Sequence, residues 1–327
     1  MKSSMSVFLG TVLSFAFVWN AVGQDHREKG VVIYELGKNP DDYSGFNPFS
    51  PTSVRENGSH QAMWEPLFSF NLSTGQLEPW LADSIKSNAA QDVWTLIVRD
   101  GVFWSDQRPF TAEDIRFTVD MVLRSENLIA MEAINLRAQV ESVERLDDHR
   151  VRFKLRKPNP RFALENFGGG MFGSFMIMPA HIWLGQDPVK YRFPKPIGTG
   201  PYLLESATKE RVTWMRNPKW WGVSAGKELP KPEKLVWQYF RTEAESMKAL
   251  VDDELDAARE YSLENFNRAR QDNEHVVGWS GGSATPAWNE PCPRQLEFNT
   301  LRPPWSDPRL RKAMSLLISR KQLVKDG

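Results

Sequence analysis

Cysteine is almost missing from this sequence: Cys292 is the single one among 327 residues. A lone thiol builds neither a disulfide framework nor a cysteine metal cluster, and Cys292 reads as a bystander. Charge of one sign is not in surplus either. Lys plus Arg and Asp plus Glu number 41 each, for a net charge of zero. The basic excess that marks nucleic-acid or acidic-membrane binding is therefore absent. The five histidines, His26, His60, His149, His181 and His275, are scattered and show no metal-ligand spacing. There is no Gly-x-Ser-x-Gly elbow, no phosphate loop and no His-Glu-x-x-His. Asp147-Asp148 and Asp252-Asp253 read as solvated turns or helix ends. Nothing in the sequence reports the carboxylate separation that glycoside hydrolysis requires. Gly168-Gly169-Gly170 lacks the context of a nucleotide site and reads as a turn. The residues point away from an enzyme, and no catalytic residue, metal ligand or cofactor is expected.

Long hydrophobic runs are equally scarce. One stands at the N-terminus, where Lys2 precedes a mostly apolar stretch from Val7 to Val22. Ala21-Val22-Gly23 then gives a small-x-small pattern ahead of the charged segment Asp25 to Lys29. This reads as a secretory signal peptide, residues 1–23, cleaved after Gly23. A membrane anchor is the rival reading at this length, and Asn20 with the small residues beside it favours cleavage. No cysteine lies near the cleavage point for lipid attachment. No other stretch approaches the roughly 18 apolar residues a spanning helix needs. A soluble protein in a periplasmic space is expected. The remaining length of about 300 residues suits about two domains with a large core.

What the chain does contain is alternating strand and helix signals, without repeats or low-complexity linkers. Trp94, Leu96 and Val98 point one way across Val93 to Asp100, and Asp100-Gly101 marks a turn. Val151, Phe153 and Leu155 alternate with Arg150, Arg152, Lys154 and Arg156, which predicts a strand with one wet face. Leu235, Trp237 and Tyr239 repeat the pattern, and Leu296 with Phe298 suggests a further strand before Asn299. Thr111 caps a predicted helix whose first turn holds Glu113 and Asp114 and whose face carries Ile115, Val119 and Val122. Thr242 to Glu245 is a capping box ahead of Met247, Leu250 and Val251. Asp307-Pro308 starts another helix with Ala313, Leu316 and Leu317, and Ser319 to Gln322 is a further box. These elements argue a mixed α/β (α+β) body.

Thirteen tryptophans are many for this length, and all but Trp19 lie beyond the N-terminal apolar stretch. An indole offers a flat apolar face and one donor, which suits stacking on sugar rings or gripping peptide side chains. Trp94, Trp214 and Trp237 fall at strand positions and read as core. Trp80 and Trp104 read as structural turn residues, and Trp220 and Trp221 lie in a proline-flanked loop.

Several segments, in order, resemble the large extracytoplasmic solute-binding proteins of ATP-driven uptake systems, the peptide/nickel/oligosaccharide family. They are Phe46-Asn47-Pro48-Phe49-Ser50-Pro51, Trp64-Glu65-Pro66-Leu67-Phe68, and Gln76 to Ile115 with Trp104-Ser105-Asp106 and Pro109-Phe110-Thr111. Pro179-Ala180-His181-Ile182-Trp183, Gly198-Thr199-Gly200-Pro201-Tyr202 and Arg216 to Gly222 follow, and Phe298-Asn299-Thr300 to Ala313 closes the series. Each piece is weak by itself, and their shared order is the signal. The family pattern offers glycine where this sequence has Gln107, in a turn.

The resemblance implies a bilobed periplasmic-binding-protein-like fold with a hinge. Residues 24–290 would form lobe I, lacking its C-terminal return segment, and residues 291–327 would begin lobe II, most of which is missing. It implies capture of an oligosaccharide or oligopeptide and delivery to the subunits of a membrane ABC permease. The protein would act as a monomer, without nucleic acid and without catalysis. The tryptophan excess and the Gly45-Phe46-Asn47-Pro48-Phe49 loop favour sugar over peptide. The expected ligand contacts are Phe46 and Asn47 in that loop, Trp64, and Trp288 with Asn289 beside the Gly281-Gly282 pair. A ligand held by one lobe is expected to bind weakly, because pocket sites bury most of the ligand. A truncated non-functional remnant and a secreted carbohydrate-active enzyme are the alternative readings.

Overall fold

The computed structural model describes residues 26–36, 45–49, 61–71, 73–168, 175–259, 261–278 and 296–326. Two compact units result, Met1–Val276 and Val277–Gly327.

The first unit is built on two four-stranded sheets and a ribbon. Strands β1 (Val31–Leu36), β8 (Tyr202–Ala207), β9 (Arg211–Arg216) and β10 (Lys234–Tyr239) form the first sheet, in the order β1-β10-β9-β8. β1 and β10 run parallel, with Tyr34 opposite Trp237 and their rings stacked at 5.0 Å. The other pairings are antiparallel. β2 (Phe68–Asn71) and β3 (Gln76–Pro79) make the ribbon. β4 (Ala82–Ser87), β5 (Val93–Val98), β6 (Val140–Arg145) and β7 (Arg150–Leu155) form the second sheet, antiparallel, in the order β4-β5-β7-β6.

The second sheet follows its pattern of alternation. Trp94, Leu96 and Val98 on β5 and Val151, Phe153 and Leu155 on β7 are buried. On the wet face of β7, Arg152 pairs with Glu144 at 3.3 Å and Lys154 with Glu141 at 3.0 Å. Helix α1 (Ala112–Arg124) packs on β6 and β7 through Ile115, Val119 and Val122, all fully buried. Each such side chain contributes about 1.5–3 kcal/mol. Thr111 and Asp114 close a reciprocal capping box at its start. Helices α2 (Met131–Gln139) and α3 (Phe162–Phe167) follow, and Phe153, Phe162 and Phe167 pack at ring separations of 5.4–5.5 Å.

β10 departs from simple alternation. Trp237 is buried, but so is Val236 on the opposite face, so this inner strand has no wet side. Short helices α4 (Ala180–Trp183) and α5 (Trp221–Ser224) sit in the connections. Helix α6 (Glu243–Val251) has its Thr242 cap, yet it buries Ser246 and Ala249 rather than Met247, Leu250 and Val251. Helix α7 (Leu263–Asp272) completes the unit.

In the second unit, helix α8 (Pro308–Leu317) begins as expected, with Asp307 accepting from the N–H of Arg309 at 2.8 Å. Helix α9 (Arg320–Asp326) follows Ser319. The strand expected at Leu296 and Phe298 is not formed. Residues 296–299 are irregular, and Phe298 instead packs on Trp305 at 4.5 Å. Two apolar residues at alternate positions do not make a strand without a neighbour to pair with.

Candidate functional site

The motif residues converge on buried polar nodes in the first unit. Glu65 is the first. It follows Trp64 and is buried with it, in a run of apolar neighbours. Its Oε1 accepts the indole N–H of Trp80 at 2.9 Å, and its Oε2 that of Trp221 at 2.7 Å. Trp80 is 15 residues away in sequence and Trp221 is 156. Burial pushes the carboxyl up to about 7, against the pull of these donors. The buried Trp220 N–H makes no hydrogen bond of good geometry, yet it and Thr199 lie close enough to ease the charge.

Asp114 is the second node. It accepts from the N–H of Thr111 and of Ala180, both at 2.9 Å, and from the indole of Trp104 at 3.2 Å. Burial raises its pKa above the ordinary value, and these donors oppose the rise. Beside it, His181 pairs with Asp106 at 2.7 Å. Three separate motifs are thus tied at one helix start. Thr118 extends the tie, accepting from the N–H of Met178 at 2.9 Å.

The Gly198-Thr199-Gly200 turn crosses the backbone at Ala62 and Met63. Gly200 donates to Met63 O at 2.6 Å and Tyr202 to Ala62 O at 3.0 Å. A Cβ at Gly198 would fall 2.1 Å from Met63 O, so only glycine allows this approach. Ser105 N–H donates to Gly198 O at 2.8 Å and joins the turn to the Trp104 motif.

A family model described as "Bacterial extracellular solute-binding proteins, family 5 Middle" matches residues 76–327. The chain belongs to that family. Family-5 relatives include a di/tripeptide-binding protein of Pseudomonas aeruginosa, 25% identical over 299 residues, covering 86% of this chain and 53% of the relative. Among solved structures, the periplasmic oligopeptide-binding protein of Thermotoga maritima superposes with a TM-score of 0.72 at 25% identity, covering 91% of this chain and 54% of that one. The same Thermotoga protein, solved with bound mannohexaose, gives 0.70 at 25% identity, with coverage of 90% and 53%. The chain spans about half the length of these relatives. The fold is thus the mixed α/β, periplasmic-binding-protein-like one that the sequence implied.

In this family-5 chain the expected contact residues lie as follows. Phe46, Asn47 and Trp64 are buried, at 3%, 1% and 3% exposure. Phe46 packs edge-on to Trp214 at 5.8 Å. Asn47 spends its amide on Pro188 O and Tyr191 O, at 2.8 and 2.7 Å, and its oxygen on Phe49 N–H at 2.8 Å. Trp64 stacks on Phe193 at 6.0 Å and donates to Ile197 O at 3.3 Å. All three are packed into the unit's interior in this structure. Trp288 and Asn289 lie outside the described residues, as do Cys292 and residues 1–23. Trp64, Trp94, Trp104, Trp183, Trp214, Trp220, Trp221 and Trp237 are all buried.

Sequence reasoning missed Glu65 and Asp114 as organising residues. The available signal was a carboxylate inside Ala62-Met63-Trp64-Glu65-Pro66-Leu67-Phe68, where charge is out of place unless partnered. Among the described residues no group of His, Cys, Asp or Glu is arranged to hold a metal, and no helix is long and apolar enough to cross a membrane.

Proposed function

We propose that this chain is the solute-capturing component, or part of it, of an ATP-driven uptake system. Its ligand is an oligopeptide or oligosaccharide, delivered outside the cytoplasmic membrane to a permease. The family match over residues 76–327 carries this reading. The di/tripeptide-binding relative supports the peptide class, and the mannohexaose-bound relative supports the sugar class. Residues 1–23 serve as a cleaved leader, residues 24–290 as lobe I and residues 291–327 as the start of lobe II. The protein works as a monomer and makes or breaks no bond. Ligand contacts come from Phe46, Asn47, Trp64, Trp288 and Asn289, with Trp288 and Asn289 the first to test.

The test is calorimetric titration of the purified protein with a cello-oligosaccharide and a tripeptide side by side. Saturable heat with one class, roughly in the millimolar range for a ligand gripped from one side, is expected. Both ligands should be recovered unchanged. Hydrolysis of either, or no saturable heat with both, contradicts the proposal.

A further inference from the structure

The neutral total of this chain hides a local surplus. From Pro308 to Leu323 the sequence holds Arg309, Arg311, Lys312, Arg320 and Lys321 and no Asp or Glu. Asp307, just ahead, pairs with Arg309 at 2.7 Å. Arg311 donates to Trp305 O at 2.5 Å and Arg320 to Ser315 O at 3.4 Å, bonds to carbonyls that leave both guanidinium charges uncompensated. Lys312 and Lys321 are exposed. The same stretch presents large apolar side chains to water. Leu310, Ala313, Met314 and Leu317 recur at three- and four-residue spacing and so share one face of α8. Leu316 and Leu317 are each 77% exposed, and Leu323 on α9 is 62% exposed. Among the described residues from Leu296 to Leu323 none is buried, whereas α1 in the first unit buries Ile115, Val119 and Val122 completely.

We propose that α8 and α9 form a docking surface for an anionic phospholipid bilayer. An apolar helix face bordered by cations is the composition of a helix that lies on such a surface. The leucines enter the boundary between headgroups and acyl chains, and Arg311, Lys312, Arg320 and Lys321 pair with headgroup phosphates. Leucines alone would suit an apolar protein face. Five cations among them, with no carboxylate, favour a surface that offers phosphate and hydrocarbon together. The contact is peripheral: α8 has 10 residues and α9 has 7, against roughly 20 for a helix that crosses a bilayer. The inference rests on the proposed role beside a membrane permease. No solute enters its test, so its failure would leave solute capture standing.

The test is flotation of the full chain with two kinds of vesicle, one of phosphatidylcholine and one of phosphatidylcholine and phosphatidylglycerol in equal parts. Flotation separates bound protein from any aggregate, which sinks. Partition into the anionic vesicles is expected to exceed that into the neutral ones by about tenfold or more at low salt, and to fall as salt is raised. Lys312→Glu combined with Lys321→Glu should lower it at least about tenfold, with the urea midpoint unchanged because both side chains are exposed. Leu317→Ser should lower partition as well. Equal partition into the two kinds of vesicle overturns the proposal, as does a double lysine variant that floats like the native protein. A discrete oligomer in vesicle-free solution that Leu317→Ser dissociates also overturns it, since a second copy then covers the face. Should Leu317→Ser not fold, the double lysine variant decides.

Discussion

A side chain on Gly198 has nowhere to go, because Met63 O lies 2.1 Å from where its first carbon would stand. The obstacle is backbone, so no rotamer change relieves it. Gly198→Ala is expected to cost at least about 3 kcal/mol, since the turn must leave its bonds to Ala62 and Met63. Urea unfolding of the variant checks this. A loss under about 1 kcal/mol would show that the two segments part easily.

Gln107 is the reverse case. It sits at φ 68°, in the left-handed region, in a turn where the family pattern offers glycine. The N–H of Gln107 donates to Trp104 O at 2.8 Å and Trp104 N–H to Arg108 O at 2.9 Å, so the surroundings hold the conformation in place. Gln107→Gly is expected to stabilise the protein by up to about 1 kcal/mol, the backbone strain outweighing glycine's entropy. A thermal melt that shifts downward contradicts this.

Asp256 is shifted the opposite way from Glu65. Its carboxylate accepts from Ile33 N–H at 2.8 Å, Arg27 at 2.5 Å and His26 at 2.9 Å. Burial works against its ionisation, but these donors outweigh burial and hold the pKa below the ordinary 3.8. The stability it contributes is present above the unfolded pKa and lost as pH falls through the folded one. Asp256→Asn should therefore flatten the acid limb of the stability profile and leave the profile above pH 6 parallel to that of the native protein. An unchanged acid limb would mean that Asp256 has no share in it.

Phe153 anchors the second sheet between Phe162 and Phe167 and is fully buried. Phe153→Ala is expected to cost about 3–5 kcal/mol, read as a lower urea midpoint with an unchanged slope.

The sequence made legible those parts whose neighbours are close or whose surroundings are simple. β5 and β7 have one wet face, and α1 carries its own cap, so periodicity and capping were enough. β10 was half legible, because an inner strand buries both faces. The buried face of α6 was not legible, since it is made by the small side chains of Ser246 and Ala249 rather than by the larger apolar ones. Tyr261 donates to Ser246 Oγ at 3.0 Å there, a contact no local pattern announces. The Glu65 node joins residues 156 apart, and the loop at Phe46 and Asn47 is held by carbonyls of residues 188 and 191. Phe46 and Trp64, which the sequence offered as ligand contacts, pack on Trp214 and Phe193 in the fold.

The account holds that the motif side chains by which this family is recognised knit the first unit together. Its most direct test is urea unfolding of Asp114→Ala measured beside Arg152→Ala. Removing Asp114 leaves three N–H donors without their acceptor, and a loss of about 3 kcal/mol or more is predicted. Removing Arg152 from an exposed pair should cost under about 1 kcal/mol. Two unfolding curves that coincide would contradict the account.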